Sequence, residues 1–517
     1  MGATPRSNCR VVDKFRLPPI SRFTAILLAI SIGLAAIGMG GWWWLQRSSP
    51  LHFQAEQLHE PAAARFLPRN ANLSFYLQLD PNQLPAYGRA VARSKQRNSA
   101  ANALTQLRNG LFATAGLNYN NELSNWIGPE LAIALTASSN NQIQPSWVLA
   151  LSSRTANGAR EFLQTFWQTR SLAGGDLSIS SYRGLGLISS SNPEAPLATA
   201  LINDQLVLIA SSRDALEDAL DSSQVDALNQ SSDPQLQNWL KQNRKGVALL
   251  RSDATGISQL LGLPAKLVAE EQMQQLVGSI AVQGSALQLA AQISTGIDRN
   301  DPPLGDRANQ WLQQLRHSAD QINISNANSS LNSLLTVAVT KPGPLLNELQ
   351  RQNQGPLLLA LINSNQWLAA TDVANPSPEA LNQPLHLAGF DPTSINSMDV
   401  WSRLSGQTNR AGELKAILAG ASGSKANVRW WSNNFDELQN QLQTKGVNKK
   451  APFIDAKSVA FSQLGPKLSR DLLGHWSFWQ GLQLLAAQPL SPAVNGFEYT
   501  LEEDKTSLDL KATLHFS

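Results

Sequence analysis

Between Phe23 and Leu45 the chain reads FTAILLAISIGLAAIGMGGWWWL, 23 residues without a charge. As a helix rising 1.5 Å per residue, that length spans about 34 Å, enough for a hydrocarbon core of ~30 Å. Arg6, Arg10, Lys14, Arg16 and Arg22 stand before it against Asp13 alone, and positive residues beside a first span hold that end in the cytoplasm. Trp42, Trp43 and Trp44 close the stretch, where indoles favour the far water–lipid boundary. The reading is a cytoplasmic tail over 1–22 and a transmembrane anchor over 23–45, with Phe23, Trp42, Trp43, Trp44 and Leu45 as its boundary residues. Residues 46–517 then face the periplasm or a thylakoid lumen. A cleaved signal has a shorter apolar region, typically 7–15 residues. Cys9 precedes the span and is the chain's one cysteine, which excludes an internal disulfide framework.

The formal net charge of +3 reflects that tail, since the remaining 495 residues hold 36 bases and 37 acids. Basic character confined to a short tail argues against nucleic acid as a partner. It leaves the bilayer, through the N-terminal helix, as the partner that the charge pattern supports.

Past the anchor, short apolar or alternating runs bounded by Asn, Asp, Ser, Gly and Pro read as strands. They include Leu73–Leu79, Leu131–Thr136, Trp147–Leu151, Leu206–Ala210, Val247–Leu250 and Leu334–Val339. Runs with helical apolar spacing include Ala101–Ala115, Ala159–Trp167, Ala215–Leu220, Gln235–Leu240 and Phe435–Leu442. Four blocks recur in order. Trp147–Ser152 matches Trp367–Asp372, Ser211–Leu220 matches Asn433–Leu442, Val247–Gly262 matches Val459–Gly474, and Leu287–Ile293 matches Leu508–Leu514. The offsets stay between 212 and 222. Ordered self-similarity of this kind predicts two diverged copies of one module. The fold-class expectation is therefore α+β: a single transmembrane helix, then two mainly antiparallel sheet-plus-helices modules with helices on one face. Their bounds are 46–296 and 329–517, around a linker and helix at 297–328.

The segments Tyr182-Arg-Gly-Leu-Gly-Leu187, Pro196–Ala210 with the Asp214–Leu220 helix, and Ala63–Pro68 leading into Leu73–Asp80 resemble the bacterial domain-of-unknown-function 3352 family. The resemblance is to its cyanobacterial members with one N-terminal span, over roughly residues 51–517. It implies an envelope or thylakoid-facing protein and brings no active-site residues with it.

Chemistry is sparse. Of six histidines only His52, with Glu56 and His59, has a spacing that a helix could align for metal, and this stretch reads as surface loop or strand. No HExxH, phosphate-binding lysine loop or dinucleotide glycine fingerprint occurs. Ser422-Gly-Ser-Lys425 has bare SxxK spacing, but reads as a polar turn. Asp301/Asp306 and Glu502/Glu503/Asp504 read as solvated loop acids. Trp430-Trp431 and Trp476/Trp479 read as core. No catalytic, cofactor or metal residue is assigned. The expectation is a membrane-anchored, non-enzymatic binding or assembly module whose partner is an envelope protein, peptide or lipid, gripped in a groove between the copies. The alternative is an envelope hydrolase with a site assembled from distant residues.

Overall fold

Two local rules set the elements. Alternating segments pair through tight turns, and a side-chain oxygen opens many of the helices. Ser212 Oγ, Asp233 Oδ1 and Asp253 Oδ1 each accept a backbone N–H from the first turn of the helix they precede, at 3.1, 3.0 and 2.8 Å. Each such cap is worth about 1 kcal/mol. Asn203 and Asp204 (φ 49° and 58°) supply the left-handed backbone of one hairpin turn, and Arg183-Gly184 (φ 52° and 79°) that of another. The computed structural model describes residues 49–517 apart from 55, 138–144, 173–175, 191–195, 243, 299–300, 317–318, 327–342, 364, 409–413, 444–445, 447 and 449–450.

The first ten strands are β1 (Leu73–Gln78), β2 (Ile127–Thr136), β3 (Ser146–Ser153), β4 (Leu177–Tyr182), β5 (Leu185–Ser190), β6 (Ala198–Ile202), β7 (Leu206–Ala210), β8 (Ala248–Asp253), β9 (Met273–Gln283) and β10 (Ala286–Thr295). The next ten are β11 (Gln321–Asn326), β12 (Pro356–Asn363), β13 (Gln366–Asp372), β14 (Asp391–Ile395), β15 (Met398–Thr408), β16 (Leu414–Lys425), β17 (Val428–Ser432), β18 (Ser458–Leu464), β19 (Val494–Asp504) and β20 (Ser507–Phe516). Pairing in the first half runs β4-β5-β6-β7-β3-β2-β1-β8-β9-β10. The second runs β14-β15-β16-β17-β13-β12-β11-β18-β19-β20, the same order with ten added. Finally β10 pairs with β20 over nine residue pairs, Ala286↔His515 to Ser294↔Ser507. Every pairing is antiparallel, and the described strands form one open sheet of twenty.

This corrects the expected fold class. A transmembrane helix followed by two separate modules gives way to one continuous sheet flanked by helices. The physical reason lies in the last strand of each half: β10 and β20 both alternate, and left alone each would expose a row of unpaired amides and carbonyls. They satisfy each other instead. No described helix is long and apolar enough to cross a membrane. The predicted span 23–45, with Phe23, Trp42, Trp43, Trp44 and Leu45, lies outside the described residues, as do the tail 1–22 with Cys9 and the predicted strand Leu334–Val339. The stretch 297–328 holds the helix Gly305–Gln314 and also β11.

Helices cover both faces at each flank of the sheet, not one. In the first half Tyr76, Ala134, Ala150 and Leu208 face the helices Arg213–Ser222 and Pro234–Leu240. Leu131, Leu149, Leu151, Val207 and Ile209 face the helix Ala156–Leu172 on the other side. Strand β7, Leu-Val-Leu-Ile-Ala, is consequently buried along its whole length. In the second half Trp430 and Trp431 sit on opposite faces of β17, both fully buried. Trp431 stacks on Trp401 with ring centroids 6.1 Å apart. At the centre, a core shared by both halves covers one face of the sheet: Leu250, Ile257, Leu260, Leu276 and Ile293 pack with Val459, Leu501 and Leu508.

A second contact ties the halves together. A Cβ at Gly110 would stand 1.8 Å from the Leu485 carbonyl oxygen, so glycine lets the helix Ser477–Leu485 press onto the helix Arg97–Ala113. Trp476, just before that helix, donates its Nε1 to the Leu260 carbonyl at 2.9 Å. Gly110→Ala should cost about 3 kcal/mol in urea unfolding, the upper end for overpacking. Gly481→Ala, where a Cβ meets nothing within 4 Å, should instead gain about 0.5–1 kcal/mol from helix propensity.

Candidate functional site

The residues flagged from sequence do not converge. His52 lies in a short 3-10 turn, Pro50–Gln54, while His59 Nε2 contacts Glu130 Oε1 at 2.6 Å. His52, Glu56 and His59 thus share no single helix. Among the described residues no group of three or more His, Cys, Asp or Glu is placed to hold a metal ion. Ser422 and Lys425 lie on strand β16, not on a turn, and three residues apart on a strand put them on opposite faces. Ser422 Oγ donates to Asp399 Oδ2 at 3.3 Å, and Lys425 Nζ to the Gln441 carbonyl at 3.2 Å. Trp479 packs with Leu473 and Val494 and donates to Ser491 Oγ at 3.0 Å. Asp301 accepts no shared ligand; its backbone N–H donates to Glu503 Oε2 at 3.2 Å. Between the halves lies the packed apolar core described above, where the sequence predicts a groove.

Two polar constellations stand out, both in the first half. One is buried. Asp233, fully buried before the helix Pro234–Leu240, accepts Arg251 Nε at 2.9 Å and Gln275 Nε2 at 2.6 Å. Arg251 Nη1 donates to the Ala71 carbonyl at 3.2 Å. Beside them Tyr76 donates its hydroxyl to Gln230 Oε1 at 2.7 Å, and Gln230 Nε2 donates to Ser74 Oγ and the Pro68 carbonyl, each at 2.7 Å. Burial would raise the Asp233 carboxyl, but the hydrogen bond and charge of Arg251, with Gln275 and the Gln235 N–H, outweigh it and hold it below the ordinary range. Burial drives the Tyr76 hydroxyl far above its usual value, so it stays neutral. Each strong donor or acceptor is spent on a protein partner. The network fastens the segment before β1 and the helix Pro234–Leu240 to β1, β8 and β9.

The other constellation opens to solvent as a cleft of about 440 Å³, between the end of the helix Arg97–Ala113 and the turn Tyr119–Leu123. Its walls include Asn109, Gly116, Asn118, Tyr119, Asn120 and Glu122. Arg108, buried beneath, lies 3.9 Å from the centre of the Tyr119 ring. Burial pushes the Tyr119 hydroxyl up to about 12 against the opposing pull of Arg108. A guanidinium only donates, so Asn109 and Asn120 must turn their oxygens to it; Nη2 reaches both Oδ1 atoms at 3.1 Å. Asn118 Oδ1 accepts the Asn121 N–H at 3.1 Å. With all three oxygens engaged, the three amide NH2 groups are the parts left for a ligand. Glu122 adds a carboxylate whose Oε2 accepts the Asn118 N–H at 2.5 Å, and Arg170 closes the rim by donating to the Gly116 carbonyl at 3.1 Å while lying over Phe166. Sequence reasoning passed over this cleft because asparagine carries no catalytic motif. The signal available was the Asn-rich run Asn118-Tyr-Asn-Asn121 in a stretch, 81–121, without a single acid.

The buried pair generates a test. Arg251→Met removes the partner and leaves a charged Asp233 inside, which costs about 3–5 kcal/mol at neutral pH. Because Asp233 is held low in the folded state, its contribution is present above the unfolded carboxylate value of about 3.9 and is lost as pH falls through the folded value. In the Arg251→Met protein burial pushes the carboxyl up, so it protonates before the native one, and the gap between the two proteins in urea unfolding should narrow as the pH falls from 7 to 3; a gap constant over that range contradicts the assignment.

No curated protein matches the chain. Among solved structures, crystal form I of TP0453 aligns at 10% identity with a TM-score of 0.28, covering 49% of this chain and 84% of that one. Crystal form III aligns at 9% identity and 0.28, covering 47% and 84%. Neither score supports an inference about fold or function. The profile of the family described as protein of unknown function (DUF3352) matches residues 27–354, which takes in β1–β10, the first half of the sheet, and β11, and ends before β12. The chain belongs to the DUF3352 family.

Proposed function

We propose that this chain is a non-enzymatic binding or assembly module, held at a plasma or thylakoid membrane by the stretch 23–45, with residues 46–517 on the periplasmic or lumenal side. The observation that carries the binding reading is the cleft over Arg108. Its three asparagine amides present donors whose own oxygens are already engaged, and Glu122, whose Oε2 accepts the Asn118 N–H, presents its second carboxylate oxygen beside them. An extended peptide offers carbonyl acceptors and N–H donors at this spacing scale, so the favoured ligand is a peptide segment of an envelope partner. The strongest polar groups elsewhere are consumed by structural bonds: Asp233 by Arg251 and Gln275, and Ser422 by Asp399. Those contacts favour recognition over hydrolysis, because a nucleophile needs a base within reach and not a carboxylate shared with an arginine. The membrane side of the reading rests on the basic tail and the uncharged stretch that follows it.

Site-specific photocrosslinking tests it. With a photoreactive residue at Ala113 on the cleft wall, in the full chain in native membranes, the expected product is one discrete protein adduct, reduced several-fold by Glu122→Gln, which keeps an acceptor for the Asn118 N–H. Adducts to lipid alone, or a protein adduct indifferent to Glu122, would contradict the peptide-binding cleft.

A further inference from the structure

One end of the sheet gathers positive charge where the chain arrives from its N-terminal stretch. Tyr87, on the helix Leu84–Val91, accepts Gln54 Nε2 at 3.5 Å and donates its own hydroxyl to the Gly284 carbonyl, in the β9–β10 turn, at 2.8 Å. Next to that turn, the Phe516 N–H donates to the Ser285 carbonyl at 2.9 Å, and Gln96 Nε2 reaches Ser517 Oγ at 3.5 Å. Residues 54, 87, 96, 284 and 517 therefore mark one end of the fold. At this end Arg89, Arg93, Lys95 and Arg97 are all exposed, within nine consecutive residues. Lys245, also exposed, bridges to Gln57 on the incoming segment. Among the described residues no ion pair engages any of the five, and residues 81–121 contain no Asp or Glu to neutralise them. Glu56 and Glu60 on the incoming segment subtract two charges and leave the end positive.

Chain length fixes how far this end lies from the apolar stretch. From Leu45 to Gln54 is nine residues, at most about 30 Å of extended chain. Four exposed bases, one on the helix Leu84–Val91, two in the loop after it and one opening the helix Arg97–Ala113, lie this close to an anchoring segment, where an anionic surface would hold each by about 1 kcal/mol. We propose that Arg89, Arg93, Lys95 and Arg97 dock this end of the sheet onto the anionic headgroups of the bilayer that holds the N-terminal stretch. The docking orients the fold, presenting the sheet end-on to the membrane. The proposal rests on the membrane-held reading above.

Two measurements separate the proposal from that reading. First, full-length chain is reconstituted into phosphatidylcholine vesicles and floated after a high-salt wash; flotation tests the tether alone. Second, a spin label at Ser94 (Ser94→Cys in a Cys9→Ser background) reports its distance to nickel-chelating headgroups. The bilayers are phosphatidylcholine alone or contain about 30% phosphatidylglycerol. The expected result is strong relaxation of the label only with phosphatidylglycerol, abolished by about 0.5 M salt and by the fourfold change Arg89→Gln, Arg93→Gln, Lys95→Gln and Arg97→Gln. Relaxation that ignores lipid charge, or that survives the fourfold change, overturns the docking. If the chain fails to float, the tether falls, and docking is judged by binding of the unanchored chain to phosphatidylglycerol vesicles. That binding should drop roughly a hundredfold or more with the four glutamines; equal binding overturns the proposal.

Discussion

The ladder between β10 and β20 is the contact on which the rest of the architecture depends. Both strands end a ten-strand array, and both carry alternating sequences whose outer edge needs a partner. Ala290 faces Lys511 in that ladder, and the block match at offset 221 also places Ala290 on Lys511. The pairing therefore maps onto itself when the halves are exchanged, as an isologous contact does. One hydrogen-bonded edge turns two arrays into a single sheet and, among the described strands, leaves β4 and β14 as the open ends.

That joint shapes what surrounds it. The core at the centre draws apolar side chains from both halves, so neither half closes its own hydrophobic layer. Burying a Leu or Ile there contributes about 1.5–3 kcal/mol each, which makes the joint a large apolar interface in addition to a ladder. Helix Ser477–Leu485 reaches across to helix Arg97–Ala113 only because Gly110 has no side chain. The opposite face of the centre stays polar: Asp509 on β20 accepts Gln292 of β10 at 3.1 Å, and burial with Glu502 nearby raises its carboxyl, partly offset by that bond.

Local elements were legible in the sequence to the extent that their causes are local. The run Leu206–Ala210 followed by Ser212 reads as strand, corner and capped helix, and forms all three. The matched blocks fall on like places in the two strand orders: β3 with β13, the helices after β7 and β17, β8 with β18, and β10 with β20. What joins distant segments was not legible. The β10–β20 pairing carries no signal beyond alternation, and alternation predicts an edge without naming its partner. Coverage of both faces was missed because several strands alternate, which predicts one wet face, whereas at the flanks helices bury both, as they bury Trp430 and Trp431 from opposite sides of β17. Strand β11 escaped notice since only Ile322 and Ile324 mark its apolar face, while Asn323 on the other face is buried too, and only the fold supplies the Ser462 hydroxyl that donates to it at 2.6 Å. The cleft over Arg108 depends on three asparagines whose orientation follows from a guanidinium that sequence alone cannot place.

If the ladder makes one sheet, the halves must lose their structure together. Native-state hydrogen exchange on the purified full chain, in rising urea, reads this most directly through amides of β1 and β8 in one half and β11 and β18 in the other. Slow amides in both halves should converge on one opening free energy and one urea dependence, as a single cooperative unit requires. Convergence onto two separate values, with one half exchanging while the other remains protected, would contradict the account.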